Sequence, residues 1–176
     1  MKLEFILMLL LAIFTACYHD ERTGTDAKPS KAQAKEKLER INRVLVQEDR
    51  EKIELYIRRH KLAGMNESST GLFYLIWGNK NGPSVKRGNV VEFNFRVTLL
   101  DGTLCYQSKP DSLGTFVVGH GGVESGLEEG ILMMKQGQRA KFIMPPHLAH
   151  GLIGDANHIP ARSIIIYDLE LLKVNP

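Results

Sequence analysis

Apolar and polar residues alternate along most of the chain beyond Asn66. In the stretch "VVEFNFRVTLL", residues 90–100, the apolar positions of this pattern are Val91, Phe93, Phe95, Val97 and Leu99. A period of two predicts a half-buried antiparallel strand. The stretch "SIIIYDLELLK" alternates in the same way, and "LFYLIW" and "GQRAKFIM" predict two further strands. Asp101-Gly102 supplies the residues of a tight hairpin turn after the first of these strands.

The period is helical before this region. From Ser30, a plausible N-cap, no glycine or proline interrupts residues 31–62, and Gly64 follows as a stop. The apolar positions at helical spacing are Leu38, Ile41, Leu45, Ile53, Tyr56 and Ile57. This pattern predicts one long helix, or two helices broken near Glu48 and Asp49. The apolar stripe is narrow, which suits packing on the domain or pairing with a second copy of the chain.

A second, much shorter helix is predicted within "GGVESGLEEGILMMK", residues 121–135. Leu127, Ile131 and Met134 fall on one face, and Glu128 and Glu129 place negative charge in the first turns, where it suits the helix dipole. Glycines around and within the helix permit a tight entry and a close approach to a sheet. Several antiparallel strands and one inserted helix indicate an α+β domain.

The N-terminal segment predicts export. Residues 1–17, "MKLEFILMLLLAIFTAC", carry a lysine and then an apolar run too short for a permanent membrane span, which is typical of a signal peptide. "FTAC" resembles a lipoprotein cleavage site and makes Cys17 the predicted lipidation site; the alternative is an ordinary secretory signal. We therefore predict a signal in residues 1–17, a tether and helical lead in 18–65, and the α+β domain in 66–176.

Composition excludes several classes of protein. The chain has 176 residues and 43% hydrophobic content, enough for a real core, so disorder throughout is excluded. Lysine and arginine number 23 against 20 aspartates and glutamates, and because the charges are interspersed we expect no nucleic-acid partner. If Cys17 carries lipid, Cys105 is the only thiol left, so the mature fold has no internal disulfide.

Common catalytic and cofactor patterns are not completed. His147, His150 and His158 lie near Asp155, but without zinc-type spacing, so we predict no metal site. Glycines 119, 121 and 122 do not form a dinucleotide or phosphate-binding motif, and a tight turn explains them. Cys105 lies on a predicted strand without an activating base, which favours a small buried hydrophobe over a reactive thiol. The sequence predicts no cofactor.

Three segments, taken in order, resemble the FKBP-type peptidyl-prolyl isomerases. They are "KRGNVVEFNFRVTLLDGTLCYQS", "GLEEGILMMKQGQRAKFIMPPHLAHG" and "IPARSIIIYDLELLK". The resemblance covers residues 70–174 and implies a twisted antiparallel sheet wrapped on the short helix, with an N-terminal helical extension. A lipoprotein-type leader followed by a helical lead also resembles the layout of the gliding-motility-associated prolyl isomerase lipoproteins.

The resemblance implies an apolar proline pocket between the sheet and the short helix. Its wall residues are Phe95, Phe116, Val123, Leu127, Ile159 and Tyr167. Periodicity alone would assign the same residues to the core of the domain. The backbone N–H of Glu124 is the donor that family members use to hold a ligand carbonyl. The resemblance also places His150 in the pocket and Cys105 and Tyr106 at its substrate-binding rim. These three positions depart from the family: Cys105 replaces a phenylalanine, Tyr106 an aspartate, and His150 a tyrosine that donates a hydrogen bond to the bound imide.

Two functions follow as expectations. The first is a prolyl isomerase, tethered in the cell envelope through Cys17, that acts on proline-containing exported polypeptides. The second is a chaperone or binding module that keeps the fold while the changes at Cys105, Tyr106 and His150 weaken catalysis. The N-terminal helical stripe also predicts a homodimer.

Overall fold

A computed structural model describes residues 30–109 and 111–176. The predicted signal and Cys17 lie outside the described residues. A compact unit spans Arg40–Pro176. The elements are α1 (Lys31–Arg59), β1 (Asn66–Glu67), β2 (Phe73–Gly78), β3 (Val90–Leu99), β4 (Leu104–Gln107), β5 (Gly114–Val117), α2 (Ser125–Leu132), β6 (Gln138–Met144), a 3₁₀ turn (Pro146–Leu148) and β7 (Ile165–Asn175). The predicted α+β class is confirmed, and each stretch predicted to be a strand contains one.

All seven described strands form one antiparallel sheet. Its order is β1-β2-β6-β7-β3-β4, with β5 also paired to β3. The long strand β3 pairs with β7 along one edge, while β4 and β5 share its other edge. Strand β7 therefore lies in the interior of the sheet, between β6 and β3. Because the sheet twists, its interior strands can enclose a helix on one face.

Successive side chains of β6 and β7 point to opposite faces of the sheet, and both faces are covered. Phe142 and Tyr167 are paired across the two strands and point to the face that packs against α2. Their neighbours Ile143 and Ile166 point to the other face, where they pack with Ile53 of α1. The domain thus has two apolar clusters, one on each side of the sheet.

Close packing of α2 depends on two glycines. A Cβ at Gly130 would lie 2.6 Å from the ring of Phe142, and a Cβ at Gly126 would lie 3.0 Å from the sulfur of Met144. Contacts that short force the neighbours to move, so only glycine lets the helix approach the sheet this closely. The predicted role of glycine in close approach is confirmed at these two positions.

The N-terminal helical pattern forms one continuous helix, α1, without a break at Glu48 or Asp49. Ser30 caps its start, since the hydroxyl accepts the N–H of Gln33 at 3.3 Å. The helix ends at Arg59, earlier than the predicted stop at Gly64. No helix among residues 30–109 and 111–176 combines the length and apolar character that crossing a membrane requires.

Candidate active site

The six predicted wall residues lie together on the α2 side of the sheet. They come from three strands, the N-terminal end of α2 and the loop before β7. Leu127 and Ile159 are each 2% exposed and Tyr167 is 6% exposed, while Phe95 and Val123 are partly buried against the same cluster. The structure therefore brings the predicted set into one apolar region. Their role in catalysis stays a prediction.

Aromatic rings form one side of this region. The ring centroids of Phe95 and Tyr167 are 6.1 Å apart, and Phe93 lies 5.7 Å from Phe95 and 5.9 Å from Phe116. Tilted and edge-on arrangements at these distances are favourable for aromatic pairs. Phe93 was not singled out from the sequence, although it belongs to the same alternating strand. It connects Phe95 to Phe116 and so fixes the spacing of the wall.

The side chain of Glu124 lies inside the predicted pocket, where sequence analysis assigned a role only to its backbone. Glu124 is the N-cap residue of α2, but its carboxylate makes no capping hydrogen bond. Oε1 instead accepts the hydroxyl of Tyr167 at 3.0 Å and Nε2–H of His150 at 2.9 Å. The Glu124 side chain is only 12% exposed. The pocket is therefore not purely apolar.

These contacts perturb the tyrosine. Burial raises the pKa of Tyr167 far above its usual value, and the negative charge and hydrogen bond of Glu124 raise it further. Tyr167 is thus a fixed hydrogen-bond donor at neutral pH. His150 occupies the position predicted for a donor to the substrate imide, and its Nε2 is engaged by Glu124 in this state.

A second polar pair lies at Tyr106, which replaces the family's aspartate. The hydroxyl of Tyr106 donates to Oδ2 of Asp155, and Oδ1 of Asp155 accepts the backbone N–H of Asn157 at 2.9 Å and of Ile159 at 2.8 Å. The Tyr106 hydrogen bond, followed by these backbone donors, holds the pKa of the Asp155 carboxyl well below its usual range. Asp155 therefore organises the loop that brings Ile159 to the pocket.

Cys105 is 8% exposed and lies in the same cluster. Burial raises the pKa of its thiol, and the nearby charge of Asp155 raises it further. A thiol that resists ionisation is a poor nucleophile. The prediction that Cys105 is a small buried hydrophobe is confirmed.

An ion pair that sequence analysis missed joins α1 to the loop that carries His150, Asp155 and Ile159. Nη2 of Arg162 lies 3.2 and 3.1 Å from the two carboxylate oxygens of Asp49, which is 4% exposed. The N–H of Arg162 also donates to the carbonyl of Gly151 at 3.0 Å, which closes the loop. The sequence contained a signal that Asp49 is buried, because it falls four residues after Leu45 and four before Ile53, on the apolar stripe of the helix.

The histidines considered for a metal site are separate. His147 Nε2 donates to the carbonyl of Thr70 at 3.0 Å, His150 contacts Glu124, and the ring of His158 packs edge-on against Tyr106 at 5.1 Å. In the described part of the chain, no three side chains of the metal-binding types converge on one point.

Comparison with known proteins agrees with this geometry. Residues 82–172 match the model of the FKBP-type peptidyl-prolyl cis-trans isomerases. The chain belongs to this family. The match begins before β3 and ends within β7, and it includes all ten positions that the resemblance places in the pocket or at its rim.

Individual FKBP relatives extend the similarity. The chain is 35% identical over 150 residues to the FKBP-type isomerase FkpA of Escherichia coli K12, which covers 84% of this chain and 52% of FkpA. It is 39% identical over 98 residues to FK506-binding protein 1A of Emericella nidulans, covering 54% of this chain and 88% of that protein. The crystal structure of E. coli FkpA superposes with a TM-score of 0.61 at 26% identity, covering all of this chain and 83% of that one. The chain spans about half the length of the curated FkpA relatives it matches.

Proposed function

We propose that this protein is a peptidyl-prolyl cis-trans isomerase. The observation that carries the proposal is the convergence of the aromatic wall of Phe95, Phe116 and Tyr167 with Leu127 and Ile159 on one face of the sheet. A pocket of this kind suits the compact, apolar ring of proline. The family to which the chain belongs supports the same conclusion.

The reaction needs no nucleophile. Rotation about an X–Pro bond is slow because the amide must lose its partial double-bond character on the way to the twisted state. The twisted carbonyl is less polar than the planar one, so removing water from the bond penalises the planar ground state more. The backbone N–H of Glu124, at the start of α2, supplies a donor for a substrate carbonyl. Shape and desolvation by the pocket residues lower the barrier.

The direct test follows isomerisation of an X–Pro peptide by the full chain in a protease-coupled assay. We expect the rate to rise in proportion to protein concentration. A rate equal to the uncatalysed rate at tens of micromolar protein would reject the proposal.

A second candidate is a chaperone or binding module of the same fold. The observation that favours it is the Glu124 carboxylate, which makes the pocket more polar than an apolar proline site. Suppression of aggregation of an unfolded model protein, without any isomerase rate, would identify this function.

We further propose that the protein is exported and anchored in the cell envelope through lipid on Cys17, where it acts on proline-containing exported polypeptides. The support is the sequence of residues 1–17, which includes the "FTAC" site. The narrower resemblance to the gliding-motility-associated lipoproteins rests on this leader and the helical lead that follows it. Cys17→Ser should abolish incorporation of a labelled fatty acid and move the protein out of the membrane fraction. Unchanged labelling would exclude Cys17 as the lipid site.

We also propose that α1 mediates a homodimer. The supporting observation is its exposed apolar residues, among which Ile41 is 44% and Val44 53% exposed. Sedimentation of the chain from residue 18 onward should give a dimer at tens of micromolar. Ile41→Glu should give a monomer, and a monomer for both forms would exclude the dimer.

A further inference from the structure

The predicted pocket contains a partly satisfied negative charge. Both hydrogen bonds to the Glu124 carboxylate, from His150 and Tyr167, end on Oε1. Among the residues that the structure describes, none donates to Oε2. A carboxylate with 12% side-chain exposure is weakly screened by water, so its field acts strongly on a nearby ligand charge.

A second carboxylate lies on the loop that carries His150 and Ile159. This carboxylate belongs to Asp155, and it is held by the neutral hydroxyl of Tyr106 and by two backbone N–H groups. Neither Glu124 nor Asp155 forms an ion pair with a lysine or arginine among residues 30–109 and 111–176. The two carboxylates, without a lysine or arginine partner among these residues, make this side of the predicted pocket acidic.

We propose that Glu124 gives the pocket a preference for a positively charged residue, lysine or arginine, immediately before the substrate proline. This inference rests on the proposed function. The resemblance implies that His150 meets the carbonyl of the X–Pro bond, and in the structure Oε1 of Glu124 is 2.9 Å from its Nε2. The side chain of residue X leaves the same backbone unit, so a long cationic side chain can reach the carboxylate.

The size of the preference follows from Coulomb attraction. A cation held roughly 6–8 Å from one carboxylate in a partly buried site should gain about five- to tenfold in kcat/KM over an uncharged side chain of equal length. An anionic side chain should lose by a similar factor. A purely structural role, in which Glu124 only orients Tyr167, predicts no discrimination by charge.

The experiment uses peptides of the form succinyl-Ala-Xaa-Pro-Phe-4-nitroanilide. Xaa is lysine or its uncharged analogue norleucine, and glutamate or glutamine. The full chain is compared with Glu124→Gln, which keeps an acceptor for Tyr167. The matched control is Glu129→Gln, which removes an equal charge from α2 at a residue that contacts Thr70. Both the rate of isomerisation and the binding of fluorescein-labelled peptides of the same sequences are measured, at low salt and about pH 8.

We expect the wild type and Glu129→Gln to favour lysine over norleucine by about five- to tenfold, and Glu124→Gln to bring the ratio close to one. Raising the salt from about 10 to about 500 mM should lower the wild-type ratio, which tests the inference even if the variant does not fold. Catalysis with equal ratios in the wild type and Glu124→Gln, or a salt-independent ratio, would overturn the inference alone. Charge-selective binding without catalysis would overturn the proposed enzyme function alone. The absence of both binding and catalysis would overturn the enzyme function and the inference together.

Discussion

Replacing Ile53 with alanine should destabilise the domain strongly, although Ile53 lies on the N-terminal helix. Its side chain is 0% exposed and packs against Phe73, Ile143, Ile164 and Ile166 on the outer face of the sheet. The change removes three carbon atoms, worth about 0.8 kcal/mol each in transfer from water. The cavity left behind adds roughly 1 kcal/mol, so the expected loss is about 3–4 kcal/mol.

The assay is urea unfolding of the full chain, followed by the fluorescence of Trp77, the single tryptophan. A loss of about 3–4 kcal/mol should also lower the melting temperature by roughly 6–15 °C for a domain of this size. Leu55→Ala is the matched control, because Leu55 lies on the same helix and is 45% exposed. The control should change stability by less than about 0.5 kcal/mol.

The position of Ile53 also leads to an expectation about activity. Ile53 contacts the face of the sheet opposite the pocket, so folded Ile53→Ala should isomerise peptides at the wild-type rate well below its melting temperature. A loss of stability below about 1 kcal/mol would show that α1 does not pack on the sheet in this way. An equally large loss in the Leu55 control would show that burial of Ile53 is not the cause, because alanine favours the helix at both positions.

Three further predictions concern the site. Phe116→Ala should lower kcat/KM about ten- to a hundredfold while a thermal melt shows a folded protein, and a folded variant with the wild-type rate would place catalysis elsewhere. Truncating Asp49 and Arg162 to alanine, singly and together, should give a coupling energy of about 1–2 kcal/mol in urea unfolding. This energy is smaller than for a fully buried pair because the Arg162 side chain is 32% exposed. Strict additivity of the two single changes would show that the ion pair contributes nothing. Tyr106→Phe removes the main cause of the lowered Asp155 pKa, so the variant should be less stable at neutral pH, by a difference that shrinks as pH falls below about 4; a pH-independent difference would refute this linkage.

The strands were predictable because each carries its own local signal. Alternation along β3 and β7 assigned one face to the core, and residues such as Val91, Phe93 and Leu171 are buried as that pattern requires. The face of α2 was predictable for the same reason, since Leu127, Ile131 and Met134 are all buried. Local periodicity left open whether α1 was one helix or two, because the burial of Asp49 depends on a distant partner.

The polar contacts of the site were not predictable, because each joins residues far apart in the chain. Glu124 is 26 residues from His150 and 43 from Tyr167, and Asp49 is 113 residues from Arg162. The resemblance placed the backbone of Glu124 at the start of α2, but the direction of its side chain is set by two donors that only the folded sheet brings near. The pairing of Tyr106 with Asp155 was hidden for the same reason.

The interior position of β7 has a consequence for the order of events during synthesis. This strand follows every other described element in the chain, yet it lies between β6 and β3 and supplies Tyr167 to the pocket. Until residues 165–175 have emerged from the ribosome, β6 and β3 have no partner on their facing edges and the sheet exists only as separate pieces. Pairing of this kind is non-local and slow. The growing chain therefore cannot complete the sheet before β7 is made, and the predicted pocket is completed only at that late step.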